Sequence, residues 1–291
     1  MVSLGLLAQQ IVNGLFFGGQ LALIAIGLTL IWGVARVLNF SHGAMFMVGG
    51  YVGFFALGFT GSVAAAILAS IVVVFALGWV TEFALLEPMR DREEFDIASM
   101  VVTLGLAIFL ENAILVGVGS RRRAFPALTE EVWRVAGLTI SVQRFVIFLI
   151  SVFALAALFL VISRTKLGLA IRAVSQDDQT ALLMGVRPRR VYAITLGCSA
   201  ALAGLAGVLL APLFTVYPSV GWYPFLLAFV VVMVGGLGSV RGTLIAAMGL
   251  AIVRSVSTIW VAAESAMVLL FAIMIAVLLI NPDGIGGWID G

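Results

Sequence analysis

The stretch RTKLGLAIRAVSQDDQTALLMGVRPRR, residues 164–190, is a polar and basic segment between two long apolar runs, and it decides how this chain must fold. It carries six of the sixteen Lys and Arg residues of the protein. Segments of this kind stay in water while the flanking apolar runs enter a bilayer, and Lys and Arg collect on the cytoplasmic side. The stretch therefore predicts a cytoplasmic loop that joins two membrane-spanning segments.

Apolar runs recur along the whole chain. The hydrophobic share is 63%, the charged share 10% and the mean hydropathy +1.22 over 291 residues, an apolar excess that a soluble fold of this size cannot bury. The apolar windows are 8–33, 40–59, 63–86, 97–118, 143–163, 190–212, 223–239, 243–262 and 266–281. Runs of about 20 apolar residues fit helices, whereas membrane strands would read as ~10-residue alternating segments. The sequence predicts an all-α polytopic membrane protein, a bundle of about eight to nine transmembrane helices in one domain over residues 1–291.

The charge pattern orients this bundle. With residues 164–190 inside, alternation places the N-terminus and the 119–142 loop outside and the C-terminus inside. The absence of Lys and Arg before Arg36 agrees with an outer N-terminus and predicts no signal peptide. Five arginines between residues 121 and 144 oppose the orientation, against six in the cytoplasmic stretch.

Several kinds of chemistry are excluded by residue counts. The single cysteine, Cys198, rules out an internal disulfide, and the single lysine, Lys166, lies in RTKLG rather than in a Walker A motif. The single histidine, His42, supplies neither a metal cluster nor a catalytic triad. We therefore expect no catalytic, metal or cofactor site, and any ATP must be hydrolysed by a partner. A net charge of +2 does not point to nucleic acid.

Polar residues inside or beside the apolar windows are the candidates for function. His42 lies in RVLNFSHG, residues 36–43, which we place at the cytoplasmic mouth of the second span. With Asn39 and Ser41 it forms either a hydrogen-bonded helix start or a broken helix that lines a translocation path. Glu111, followed by Asn112, is either a path residue or a paired helix contact.

Other carboxylates and glycines add two expectations. Glu82 and Glu264 lie nearer window ends, where we expect water to solvate them. Scattered carboxylates also keep a proton-coupled carrier open as an alternative. Small residues four apart, such as Gly14 and Gly18 or Gly49 and Gly53, predict close helix packing. The run GGLGSVRG, residues 235–242, predicts a break or a re-entrant corner.

The cytoplasmic stretch predicts a short amphipathic helix of one to three turns. It begins with acidic residues, which complement a helix dipole, and ends at Gly185 before a proline. The helix either docks a cytoplasmic partner or lies on the membrane surface. Its candidate docking residues are Gln176, Asp177, Asp178, Ala181, Met184 and Gly185.

Long stretches of the chain resemble the permease subunits of branched-chain amino acid ABC importers, within the broader group that includes ribose-type permeases. The most specific are NFSHG and AVSQD…A…MG. The matching stretches are NGLFFGGQLALIAIGLTLIWGVARVLNFSHGAMFMVGGY (13–51), EPMR (87–90), TLGLAIFLEN (103–112), LGLAIRAVSQDDQTALLMGV (167–186), AALAGLAGVLLAP (200–212), VVVMVGGLGSVRGTLIAAMG (230–249) and NPDGIGG (281–287). Two departures are Asn281, where the family often has Arg, and Glu111, where a neutral amide is equally at home.

The resemblance implies a permease of the inner membrane, the shorter of two paralogues. Its partners would be the second permease, two cytoplasmic ATPases and an extracytoplasmic solute-binding protein. The AVSQD…MG stretch would be the coupling helix on the ATPase, and Arg121, Arg122 and Arg123 would dock the binding protein. An inverted repeat would pair the NFSHG and GGLGS regions. Asn39, Ser41, His42, Gly43, Glu111 and Asn112 are the candidates for the substrate path.

The resemblance also indicates the solute. Leucine, isoleucine and valine are the solutes that the resemblance favours. Urea and short amides remain an alternative, because selectivity in this family resides largely in the binding protein. A proton-coupled carrier and a passive channel are the competitors from other classes.

Overall fold

A computed structural model describes residues 4–127, 129–135, 137–262 and 265–286, and these residues are mostly helical. The α-helices are α1 (Leu4–Ala35), α2 (His42–Thr60), α3 (Val63–Thr81), α4 (Phe95–Val118), α5 (Val142–Arg164), α6 (Lys166–Gln176), α7 (Asp178–Leu183), α8 (Pro188–Phe214), α9 (Trp222–Gly235), α10 (Val240–Ser257) and α11 (Ser265–Ile280). After α3 the chain continues through a π-helical turn, Glu82–Leu86, and a 3-10 turn, Glu87–Met89.

Each of the nine predicted apolar windows contains one helix. Seven helical segments of the described chain are long and apolar enough to cross a membrane: α1, α2, α3 with its two following turns, α4, α5, α8 and α10. The helices α9 and α11 are apolar but shorter, with 14 and 16 residues. The prediction of a polytopic helical membrane protein is confirmed in this coarse form.

A β-hairpin departs from the all-α prediction. The strands β1 (Val132–Val135) and β2 (Leu138–Ser141) pair antiparallel, and Val132 lies opposite Ser141. Gly137 in the turn has a φ of +79°, a left-handed conformation that favours glycine. The hairpin lies within the predicted 119–142 loop, where no apolar run is long enough to form a span.

The described chain forms two compact units, and neither is one continuous stretch of sequence. The first comprises residues 4–29, 126–153 and 226–286. Within it, a Cβ on Gly14 would lie 2.7 Å from the Ile252 Cα, and one on Gly18 would lie 2.8 Å from the Met248 sulfur. The absence of side chains lets α1 and α10 approach this closely, as the glycine spacing predicts.

The run of residues 235–242 lies in the same unit and forms a break. Helix α9 ends at Gly235, and α10 begins at Val240, where the Ser239 hydroxyl accepts a hydrogen bond of 3.1 Å from the Gly242 N–H. A Cβ on Gly235 would lie 2.5 Å from the Thr243 Cα, so the two helix ends pack backbone against backbone. The predicted break is confirmed.

The second unit comprises residues 30–125 and 154–225. Its centre is the packing of α2, α3 and α8, again through small residues. A Cβ on Gly49 would lie 2.5 Å from the Gly204 carbonyl oxygen, and one on Gly78 would lie 2.5 Å from the Ala200 Cβ. The predicted contact of small residues is therefore confirmed at Gly49 and Gly204. This unit contains every region described in the next subsection.

Candidate functional site

The chain between α1 and α2 is not helical, although several of its residues are buried. Asn39, Ser41 and His42 are all 0% exposed, and α2 starts at His42. The Asn39 side-chain oxygen accepts hydrogen bonds from the Ser41 N–H, at 3.0 Å, and from the Ser41 hydroxyl, at 2.6 Å. Because backbone groups freed inside a membrane need partners, this side chain replaces part of the missing helical bonding.

Helix α4 supplies the next partner of this segment. The Phe40 N–H donates a hydrogen bond of 3.1 Å to the Thr103 hydroxyl. Thr103 is eight residues into α4, or about 12 Å from its first residue at ~1.5 Å per residue. The segment before α2 therefore packs against the first half of α4. That His42 lies at the mouth of its span stays a prediction.

A small cavity lies beside the first turn of α2. It is lined by Phe40, Gly43, Ala44, Met47, Ala107, Glu111, Pro218, Gly221 and Trp222. The cavity holds about 10 Å³, close to the room that one water needs. An amino acid does not fit in this cavity at that size.

Glu111 has a defined partner at this cavity. The Trp222 indole N–H donates a hydrogen bond of 2.8 Å to a Glu111 carboxylate oxygen. Glu111 therefore makes a paired helix contact, and its role on a substrate path stays a prediction. Asn112 is exposed, and its side-chain N–H donates to the Ile108 carbonyl of its own helix. The structure thus brings Gly43 and Glu111 to one cavity and leaves Asn112 outside it.

Residues 164–190 contain two helices: α7 is the short helix predicted to begin at the acidic residues, whereas α6 before it was not predicted. Gln176 ends α6, and Asp177 is the N-cap of α7. The Asp177 carboxylate accepts hydrogen bonds from the Thr180 hydroxyl (2.5 Å) and from the N–H groups of Gln179 and Thr180 (both 3.0 Å). These bonds, first those from Thr180, lower the pKa of Asp177 below its ordinary value. An acidic cap residue starts a new helix here, as the acidic start of the segment predicts.

The remaining residues of α7 divide into a buried and an exposed set. Ala181 is 4% exposed and packs in an apolar cluster with Tyr192, so it anchors α7 to this unit. Leu183 and Met184 are 86% and 81% exposed. Gly185 has a φ of +86° and ends the helix as predicted. The unit thus presents a short apolar tip to its surroundings.

Next to α7 lies a buried ion pair that the sequence did not predict. Glu82 is 1% exposed, and the Arg90 guanidinium donates to one of its carboxylate oxygens from two nitrogens, at 2.7 and 2.5 Å. The expectation that water solvates Glu82 is therefore wrong. A carboxylate in an apolar span needs a cation, and the nearest arginine in sequence, eight residues on, was the available signal. Glu264 lies outside the described residues.

The ion pair continues to α7 through Tyr192 of α8. The Arg90 guanidinium lies 3.8 Å from the centroid of the Tyr192 ring, and the Tyr192 hydroxyl donates a hydrogen bond of 3.0 Å to Asp178. A groove of about 800 Å³ passes these side chains and is lined by both charged and apolar residues. A second, more exposed ion pair joins Arg189 to Glu87 at 3.0 Å.

The three arginines after α4 lie in different surroundings. Arg121 is exposed. Arg122 lies over the Tyr217 ring at 4.7 Å. Arg123 lies over the Phe54 and Phe55 rings at 5.5 and 5.6 Å, and its backbone pairs with that of Val216. Arg123 therefore has a packing role in addition to the docking role predicted for all three.

Together these observations describe a multi-pass helical membrane protein with a polar break inside one unit and a short capped helix between two spans. Residues 10–278 match the family described as the permease component of branched-chain amino acid transport systems. The chain belongs to this family, which is one of transport proteins rather than enzymes.

Individual relatives agree with the family match. The chain is 35% identical to the high-affinity branched-chain amino acid transport system permease protein LivH of Escherichia coli K12, over 96% of this chain and 95% of that protein. It is 32% identical to BraD of Pseudomonas aeruginosa over the same shares. It is 29% identical to a probable LivH of Methanocaldococcus jannaschii, over 96% and 92%. No solved structure matched the chain significantly.

Proposed function

We propose that this chain is the membrane-spanning subunit of an importer for leucine, isoleucine and valine. The proposal takes its substrate from the names of the bacterial relatives, which are high-affinity branched-chain amino acid permease proteins. Its partners are a second, paralogous permease, two cytoplasmic ATPases and an extracytoplasmic solute-binding protein. The partners bind and hydrolyse ATP, and this chain contributes no cofactor and breaks no bond.

The observation that carries this proposal is the construction of α7. A helix of six residues is too short to be stable by itself, yet Asp177 caps it and Ala181 fixes it to the apolar cluster of its unit. It nevertheless leaves Leu183 and Met184 in the open. An apolar tip on a fixed polar helix suits a protein groove better than water, and we assign that groove to the ATPase.

The substrate path in this proposal passes the break before α2. Asn39, Ser41, His42 and Gly43 are the candidate path residues there, and Glu111 with Asn112 lies farther along α4. Broken helices inside a membrane are tolerated where they line a cavity. The cavity beside Gly43 is too small for an amino acid, so we propose that ATP binding at the partner widens it through α7.

The topology in this proposal has eight to nine spans in one domain over residues 1–291, within the cytoplasmic membrane. The N-terminus and the 119–142 loop lie outside, and residues 164–190 lie inside. The breaks before α2 and before α10 would be the two related positions of an inverted repeat. Support comes from the charge pattern and from the serine that precedes the helix start at each break, Ser41 before α2 and Ser239 before α10.

The assignment of α7 is tested by copurification of the ATPase with the full-length chain from membranes. Leu183→Ala combined with Met184→Ala removes the exposed tip and should lower ATPase recovery about tenfold, as loss of a central interface contact does. Leu169→Ala is the matched control, since Leu169 is 61% exposed on the neighbouring helix α6. Equal ATPase recovery by the double variant and wild type would refute the assignment.

A further inference from the structure

We infer that Arg90 is a positioning residue that couples α7 to α3 through Tyr192. The inference rests on the proposed function, because α7 is the helix assigned to the ATPase. Four side chains form the connection, which we call the Glu82–Asp178 relay: Glu82, Arg90, Tyr192 and Asp178. All four lie in one compact unit.

The first contact of the relay fixes α7 to α8. Asp178 stands in the first turn of α7, and its carboxylate accepts the Tyr192 hydroxyl hydrogen bond at 3.0 Å. The Tyr192 ring is itself buried, with 7% exposure. A displacement of α7 therefore pulls on a side chain that cannot move freely, because its ring is enclosed by packed neighbours.

The second contact passes the displacement to Arg90. Its guanidinium lies over the Tyr192 ring at 3.8 Å and over the Phe95 ring at 5.0 Å. A cation between two aromatic faces follows the rings when they move, since its attraction depends on staying above them. Phe95 is the first residue of α4. Arg90 therefore contacts aromatic rings of both α4 and α8.

The third contact of the relay is the ion pair that holds the Arg90 side chain to Glu82. Glu82 is almost completely buried, and Arg90 is its one ion-pair partner among the described residues. Separating the pair would leave a buried charge without a partner, which is strongly destabilising. Glu82 also begins the π-helical turn that follows α3. Such turns are rare and are found frequently at functional sites. A displacement of α7 therefore displaces the C-terminal end of α3 through these contacts.

The test uses the full chain with its ATPase and binding-protein partners in proteoliposomes, and it measures leucine carried per ATP hydrolysed. Tyr192→Phe deletes the bond to Asp178 and keeps the ring under Arg90. We expect normal assembly and ATP hydrolysis, with leucine per ATP reduced about fivefold, the effect of one lost hydrogen bond. The double variant Glu82→Gln with Arg90→Gln removes both charges without leaving one buried and unpaired, and should be uncoupled in the same way.

Two controls make the result specific. Tyr51→Phe deletes a buried hydroxyl that has no hydrogen-bond partner among the described residues, and Arg189→Gln deletes the exposed ion pair with Glu87. Both should keep the wild-type leucine per ATP. An unchanged ratio in Tyr192→Phe, or a loss of uptake that merely follows a loss of assembled complex, would overturn the relay. A wild-type chain without any ATPase-dependent uptake would instead overturn the proposed function on which it rests.

Discussion

The Asn39 side chain makes several of the hydrogen bonds in the break before α2. Its side-chain oxygen serves both the N–H and the hydroxyl of Ser41, and its amide N–H faces the Met45 sulfur at 3.8 Å. All of this occurs at 0% exposure, where a polar group left without a partner pays its full desolvation penalty.

Asn39→Ala should therefore destabilise the chain by about 1–3 kcal/mol, because two donors of Ser41 lose their acceptor. Thermal unfolding of the purified chain in detergent measures the change. Asn112→Ala is the matched control, since its exposed amide donates to the Ile108 carbonyl of its own helix, and it should leave the unfolding temperature unchanged. Equal unfolding temperatures for Asn39→Ala and wild type would show that the break is not held by this side chain.

Residue types could be predicted from the sequence better than residue partners. Asn39, Ser41, His42 and Glu111 stood out because polar groups are costly in apolar runs. Their partners did not stand out, because Thr103 and Trp222 are ordinary residues in a membrane helix until the fold brings them close.

At the scale of elements, close helix packing depends on glycines at positions where an added Cβ would clash with the backbone of another helix. Gly49 is the clearest case, with the Gly204 carbonyl oxygen 2.5 Å from the position of such a Cβ. A backbone atom cannot rotate away as a side chain can, so α2 and α8 would have to separate.

Gly49→Val should accordingly lower stability by about 1–3 kcal/mol or more, and it should reduce the amount of folded chain in membranes. Gly58→Val is the control within the same helix, since no atom lies within 4 Å of the corresponding Cβ. The readout is the folded fraction in size-exclusion chromatography after detergent extraction. Similar folded fractions for the two variants would contradict the packing described for α2 and α8.

Helix α7 gives a prediction about pH. The pKa of Asp177 is lowered from its ordinary value of 3.8, so its cap contributes stability above that value and loses it as the pH falls through the lower folded pKa. A spin label at Met184→Cys in a Cys198→Ser background should report constant mobility from about pH 8 to about pH 5 and greater mobility only below about pH 4. Asp177→Asn, which keeps a capping side chain, should abolish that step. A mobility step between about pH 5 and 7 would assign the order of α7 to another group.

The apolar windows predicted the positions of the long helices closely, whereas the structure of the segments between them was harder to predict. Hydrophobicity marks each span, because a run of apolar residues has only one stable form in lipid. Helix α6 was not predicted, and its separation from α7 depends on the Asp177 side chain, which bonds to N–H groups two and three residues ahead. The hairpin at 132–141 was missed because it is too short for a periodic signal to emerge.

At the scale of the whole molecule, the proposed importer has two protein-docking faces. The outer face would use the arginines after α4, but these are not equivalent. Arg121 is exposed, whereas Arg123 lies over two aromatic rings and its backbone pairs with Val216. Exposed charges steer a partner in a salt-dependent way, while enclosed charges mainly support local structure.

Arg121→Gln should weaken docking of the binding protein several-fold at low ionic strength and little at high ionic strength, as screening removes the missing attraction. Arg123→Gln should instead lower thermal stability at every salt concentration. Binding of the solute-binding protein to the chain in nanodiscs, measured at two salt concentrations, separates the two effects. A salt-independent loss in Arg121→Gln would point to folding rather than docking.

The central claim is that this chain carries branched-chain amino acids as part of an ATP-driven, binding-protein-dependent importer. The most direct measurement is uptake of labelled leucine, and separately of labelled urea, by vesicles that contain the chain with its candidate partners. We predict leucine uptake that requires both ATP and the binding protein. Urea uptake under the same requirements would keep the mechanism and change the substrate. Leucine flux that persists without ATP and without the binding protein would contradict the importer and favour a carrier or a channel.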